Sequence, residues 1–95
     1  MTYEWNPQKA AANRNKHRLD FEEASSVFLD PLALTFPDPA HSVEEHREIT
    51  IGLTMKGRLA FISPCDRKGR IRIIRARLVT RAEHKQYEEG IGNWS

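Results

Sequence analysis

The chain has 95 residues, 39% of them hydrophobic and 29% charged, with five glycines and five prolines. This composition is globular, and the length suits one core but not two, so residues 1–95 are expected to form a single domain. No apolar run reaches the roughly 18 residues of a membrane span. The opening Met1-Thr2-Tyr3-Glu4-Trp5 lacks the basic and apolar blocks of a secretory signal, so the expected location is the cytoplasm, with no membrane partner.

Asn6-Pro7 reads as an N-cap followed by proline at the first helical position, and the Ala-rich run to about Lys16 predicts a first helix. Asp20 with Glu23 three residues on is a capping-box pattern. Phe21, Ala24, Val27 and Phe28 then share one helical stripe, which predicts a second helix ending near Leu29, before Asp30-Pro31. Leu32 to Phe36 suits an edge strand closed by Pro37-Asp38-Pro39, with an irregular loop to about Glu44. Ile49, Ile51 and Leu53 alternate with Thr50, Gly52 and Thr54. Lys56-Gly57 supplies a turn and Leu59 to Ser63 returns, which predicts a hairpin. After Asp66 to Gly69, a fourth strand runs from about Ile71 to Arg77. Thr80-Arg81-Ala82-Glu83 repeats the capping-box pattern, and Gly90 reads as a stop, giving a last helix from Arg81 to Glu89. The expectation is an α+β domain: an antiparallel sheet of about four strands, with helices on one face.

The net charge is only +2, but it is unevenly spread. Asp20 to Glu48 carries eight acids against Arg47, whereas Asp66 to Lys85 carries eight bases against Asp66 and Glu83. Six of those eight bases are arginines, whose planar fork grips a phosphate with two hydrogen bonds. Strict alternation puts Ile71 and Ile73 on the face of Arg75 and Arg77. Two readings fit that pattern: the rim of a charged cleft, or a strand end whose arginines lie along apolar neighbours to reach solvent. A polyanionic ligand is the favoured partner, provided the guanidinium groups converge on one hollow sized for a phosphodiester.

Other chemistries lack support. No Walker loop, G-x-G-x-x-G or H-E-x-x-H is present, and His17, His41, His46 and His84 share no ligand spacing, so neither cofactor nor metal is expected. The single Cys65 reads as a small buried hydrophobe. Metal-free RNA cleavage needs a base for the 2′-hydroxyl, cations for the phosphorane and a donor for the 5′-oxygen. Arg67, Arg77 and Arg81 are the candidate catalytic cations, with His17 and Tyr87 the candidate proton-transfer groups. Lys16, Arg70, Arg72, Arg75 and Lys85 are candidate RNA-binding residues. The residues alone leave open a ribonuclease, a passive nucleic-acid binder and a docking module for an acidic protein.

Several fragments in fixed order carry a resemblance. They are Glu4-Trp5-Asn6, Lys9, Asn13, Lys16-His17, Phe21-Glu22-Glu23-Ala24 and Phe28-Leu29-Asp30-Pro31, then the Arg47 to Gly52 strand. Arg70 to Ile74, Ala76-Arg77, Thr80-Arg81, Glu83 and Tyr87-Glu88 follow. Together they resemble the BrnT toxins of bacterial type II toxin–antitoxin pairs, over about Tyr3 to Gly90. The resemblance implies a RelE-like ribonuclease fold and metal-independent RNA cleavage that inhibits translation. It also implies neutralisation by a BrnA-like ribbon-helix-helix antitoxin, with promoter DNA contacted only through that antitoxin. Two positions depart from the family pattern as this resemblance has it: Pro64 stands where a histidine is common, and Arg75 where a serine is common. A missing proton-transfer histidine lowers a rate by on the order of 10² to 10⁴, so the departures point to RNA binding with weakened cleavage.

Overall fold

The computed structural model describes residues 3–38 and 47–92, the last two by backbone alone. The loop expected between Asp38 and Glu44, with His41 and His46, falls largely outside these residues. The elements in chain order are β1 (Tyr3–Glu4), α1 (Pro7–His17), α2 (Phe21–Ser25), a 3₁₀ turn (Ser26–Leu29), β2 (Leu34–Pro37), β3 (Glu48–Leu53), β4 (Leu59–Arg67), β5 (Arg70–Leu78) and α3 (Arg81–Gly92).

Local chemistry sets most boundaries. The Asn6 side chain accepts from the amides of Gln8 and Lys9 at 2.8 and 3.2 Å, with Pro7 where its missing N–H costs nothing. Asp20 caps α2 through the amide of Glu23 at 2.7 Å. The Glu23 side chain does not complete the box; it turns inward to Arg58 and Thr54. Lys68 and Gly69 both have positive φ, 53° and 80°, the pairing that a two-residue hairpin turn requires.

The sheet has five strands, one more than expected, in the order β1-β5-β4-β3-β2. β1 pairs in parallel with β5, and the other pairings are antiparallel, so the sheet is mixed. Two residues carry too little alternation to announce a strand, and the partner of β1 lies far away in sequence.

β5 departs from strict alternation. Ser63 pairs with Arg75 but Pro64 pairs with Ile73, leaving Ile74 as an extra residue in a β-bulge. Proline is tolerated in this central strand because the ladder is already interrupted there. The bulge rephases the strand and corrects the expected facing. Ile71, Ile73 and Ala76 share one face, and Arg70, Arg72, Arg75 and Arg77 share the other.

The core lies on the isoleucine face. Ile73, Ala76, Ala60 and Ile62 pack against Leu19, Phe21, Ala24 and Val27, all buried. Asn13 of α1 ties this layer to the sheet by accepting from the Ala76 amide at 3.3 Å and donating to the Leu19 carbonyl at 2.9 Å. Gly52 on β3 is where the 3₁₀ turn comes closest: an added Cβ would lie 2.8 Å from Val27 Cγ1 and 2.9 Å from the Ala33 Cβ. Gly52→Ala is therefore expected to destabilise the fold by about 1–3 kcal/mol through overpacking, read as a lower urea midpoint.

Helices flank both faces, not one. α3 crosses the opposite side, meeting Leu34 at Gly90 and Arg77 at Glu83. Gly90 does not stop α3, which continues to Gly92. The Gly90 hydrogen faces Leu34, whose Cδ1 lies 2.9 Å from where a Cβ would be, so the glycine serves close packing.

Candidate nucleic-acid interface

The β4–β5 hairpin assembles a cationic face. Across it Arg67 pairs with Arg70, Cys65 with Arg72, Ser63 with Arg75 and Phe61 with Arg77, so five arginines line the surface opposite the core. Ser63 and Cys65 are buried beneath them, at 1% and 4% exposure. Arg67, Arg70 and Arg75 are exposed, Arg72 and Arg77 half-buried.

Their pairing differs. Beyond the backbone ladder, the side chains of Arg67, Arg75 and Arg81 make no ion pair or hydrogen bond with any described residue. Arg70 and Arg72 reach Glu4 of β1 only loosely, at 3.9 and 3.8 Å. Arg77 is fully engaged: Nη1 and Nη2 each donate to one oxygen of Glu83 at 2.8 Å, and the guanidinium carbon sits 4.0 Å above the centre of the Phe61 ring. Glu83 also accepts from the Thr80 amide at 2.8 Å while Thr80 Oγ1 accepts from the Glu83 amide at 3.2 Å, a reciprocal cap on α3. The Arg77 hydrogen bonds outweigh burial and hold the Glu83 carboxyl below its usual range.

Among the described residues, the guanidinium groups are not gathered around one recess. The arginines stand in a row on a sheet surface, and a recess of about 470 Å³ at the hairpin tip gathers only Arg67, Lys68 and Arg70 beside Glu4. A recess of about 600 Å³ opens on the core side, among Tyr3, Phe28, Pro64, Asp66 and Ile71. Pro64 thus faces away from Arg75, so the positions where the resemblance expects a histidine and a serine fall on opposite faces of the sheet.

The other candidate residues scatter. Lys16 and His17 end α1 in the layer that covers the core side, away from the arginine row. Lys85 is exposed on α3, 4.0 Å from Glu89. Tyr87 is 6% exposed and its hydroxyl donates to Asp30 Oδ2 at 2.8 Å. Burial first, then that bond and the Asp30 charge, push its phenol up to about 12. Asp30 is a joint: it also accepts from the amides of Leu53 and Leu32, at 2.8 and 2.9 Å. Burial raises its pKa, but these bonds outweigh burial and leave it lowered.

His84, read from the sequence only as one of four histidines without ligand spacing, was not among the candidate site residues. Its Nε2 lies 2.8 Å from Glu88 Oε1, and it shares a recess of about 350 Å³ with Arg81 and Lys85. The i, i+3, i+4 and i+7 spacing of Arg81, His84, Lys85 and Glu88 on one helical stripe was the available signal.

Comparison with known proteins adds the family. A crystal structure of the Brucella abortus ribonuclease toxin BrnT superimposes with a TM-score of 0.65 at 20% identity, covering 85% of this chain and 100% of that one. At that identity the likeness speaks for the fold alone. No curated protein matches the sequence. The family model described as ribonuclease toxin, BrnT, of type II toxin-antitoxin system matches residues 5–83, from Trp5 beside β1 to the Glu83 that holds Arg77. Since that match takes in the whole arginine hairpin and most of the chain, this protein belongs to the BrnT family of type II toxin–antitoxin ribonuclease toxins.

Proposed function

We propose that the chain is a metal-independent endoribonuclease that cuts RNA on the arginine face of β4–β5, inhibits translation in the cytoplasm, and is neutralised by a BrnA-like ribbon-helix-helix antitoxin. Promoter DNA is contacted only through that antitoxin. One observation carries the reading: the bulge at Ile74 brings Arg70, Arg72, Arg75 and Arg77 to one side, beside Arg67. Arg67, Arg72 and Arg75 then hold successive phosphates and offset charge on the phosphorane, which is the larger part of such catalysis. Arg81 and Lys85 extend the cationic surface along α3, and an antitoxin segment of acidic character laid over the row would mask it.

A second reading, strong binding with weak cleavage, is favoured by the proton-transfer groups. His17 ends α1 on the core side, the Tyr87 hydroxyl is committed to Asp30, and Pro64 stands where the resemblance expects a histidine. Labelled RNA incubated with the purified protein in EDTA distinguishes the two. Fragments ending in 2′,3′-cyclic phosphate are expected. Bound but intact RNA at high protein concentration would overturn the cleavage reading.

A further inference from the structure

We infer that Arg77 is a stacking shelf for an RNA base rather than a phosphate ligand, a reading that rests on the RNA-binding role proposed for this face. The guanidinium is immobilised in a way unlike its neighbours. One flat side lies 4.0 Å over the Phe61 ring, and both terminal nitrogens are spent on Glu83 at 2.8 Å. A third donor contact runs from Nη1 to the Leu78 carbonyl at 3.2 Å. The fork that grips a phosphate is therefore occupied, and the Glu83 carboxylate cancels the local positive charge.

The side chain nevertheless remains 34% exposed. Phe61 takes one face and Glu83 the terminal nitrogens, and no described hydrogen bond or ring contact engages Nε or the opposite face. A planar, charge-compensated surface of this kind suits an unstacked nucleobase, because single-stranded RNA is recognised by stacking on aromatic rings and on arginine planes. Phe61 beneath and Glu83 at the edge hold the plane flat before the base arrives, which lowers the ordering cost of binding. Arg75, two residues along the same face and with no described hydrogen bond or ion pair to its side chain, is placed for the adjoining phosphate. The pair divides the work: Arg75 supplies charge and Arg77 supplies a surface.

The probe is a set of short single-stranded RNAs, 2′-O-methylated so that they cannot be cut, with 2-aminopurine moved through each position. Stacking quenches its fluorescence. The natural protein should quench at a restricted set of positions. Arg77→Lys, which keeps the charge and removes the plane, should abolish that quenching and weaken binding about tenfold while leaving the salt slope unchanged. Arg75→Gln should keep the quenching and lower the slope by about 0.7. Retained quenching in Arg77→Lys, or no quenching at any position by the natural protein, overturns the shelf even if RNA binds. No salt-dependent RNA binding at all overturns the proposed interface as well. Should Arg77→Lys fail to fold, Phe61→Leu serves instead: reduced quenching supports the shelf and unchanged quenching refutes it.

Discussion

Replacing Arg58 with methionine is expected to cost about 3 kcal/mol of folding stability at pH 7, because it strands the Glu23 carboxylate inside the protein. Glu23 is only 2% exposed and sits where α2 meets the β3–β4 turn. Arg58 Nε donates to Oε2 at 2.9 Å, Nη2 donates to Oε1, and the Thr54 hydroxyl donates to Oε2 at 2.7 Å. Lys56 stands 3.9 Å away. The Arg58 hydrogen bonds outweigh desolvation and lower the Glu23 pKa from its ordinary 4.5. A lowered folded-state pKa means stability that is present above the unfolded value and lost as pH falls through the folded one. The natural protein should therefore weaken on acidification below about 4.5. In Arg58→Met the carboxyl is buried without its cation, so its pKa rises and acid relieves the penalty. Urea unfolding at neutral and acid pH should show a wide gap between the two proteins that narrows as the pH drops. Because the Arg58 side chain is 35% exposed, the expected loss lies toward the lower end of the range for buried pairs.

The joint replacement of Arg70, Arg72 and Arg75 by glutamine is expected to weaken single-stranded RNA binding by about 10² to 10³ at low salt, with the fold intact. All three point away from the core, and only Glu4, itself 30% exposed, loses a partner. Three phosphate contacts should also take about 2 from the log–log salt slope. Replacing Arg14 of α1 and Arg18 at its C-cap removes charge from the other side of the sheet and should leave that slope nearly unchanged.

Much of the fold was legible where the signals are local. The caps at Asn6, Asp20 and Thr80, the turn signal within Asp66 to Gly69 and the alternation through Ile49, Ile51 and Leu53 each act within a few residues; their elements formed, although β4 runs to Arg67, past the expected Ser63, and the second helix tightens to 3₁₀ from Ser26. Pro64 inside a strand was itself a bulge signal. Taken with the double isoleucine at Ile73-Ile74, it would have rephased β5 and gathered the arginines on one face from the sequence alone. β1 had no such signal, since two residues have no period and their partner is β5.

The candidate site was legible in its residues more than in its geometry. That the C-terminal third is an arginine surface follows from charge spacing. That Arg77 is tied to Glu83 and Phe61 depends on how α3 crosses the sheet. The hydrogen bond of Tyr87 to Asp30, 57 positions away, is likewise a property of the assembled layers. Gly90, read as a stop, reflects the nearness of Leu34, another contact that no local pattern encodes.

The central claim, that RNA lies along β4–β5 opposite the core, is tested most directly by nuclear magnetic resonance of the arginine Nε–Hε groups during titration with uncleavable single-stranded RNA. Signals of Arg67, Arg70, Arg72, Arg75 and Arg77 should shift together at low salt and return as salt is raised, while those of Arg14 and Arg18 stay in place. Shifts confined to Arg14 and Arg18, with the β5 arginines unmoved, would contradict it.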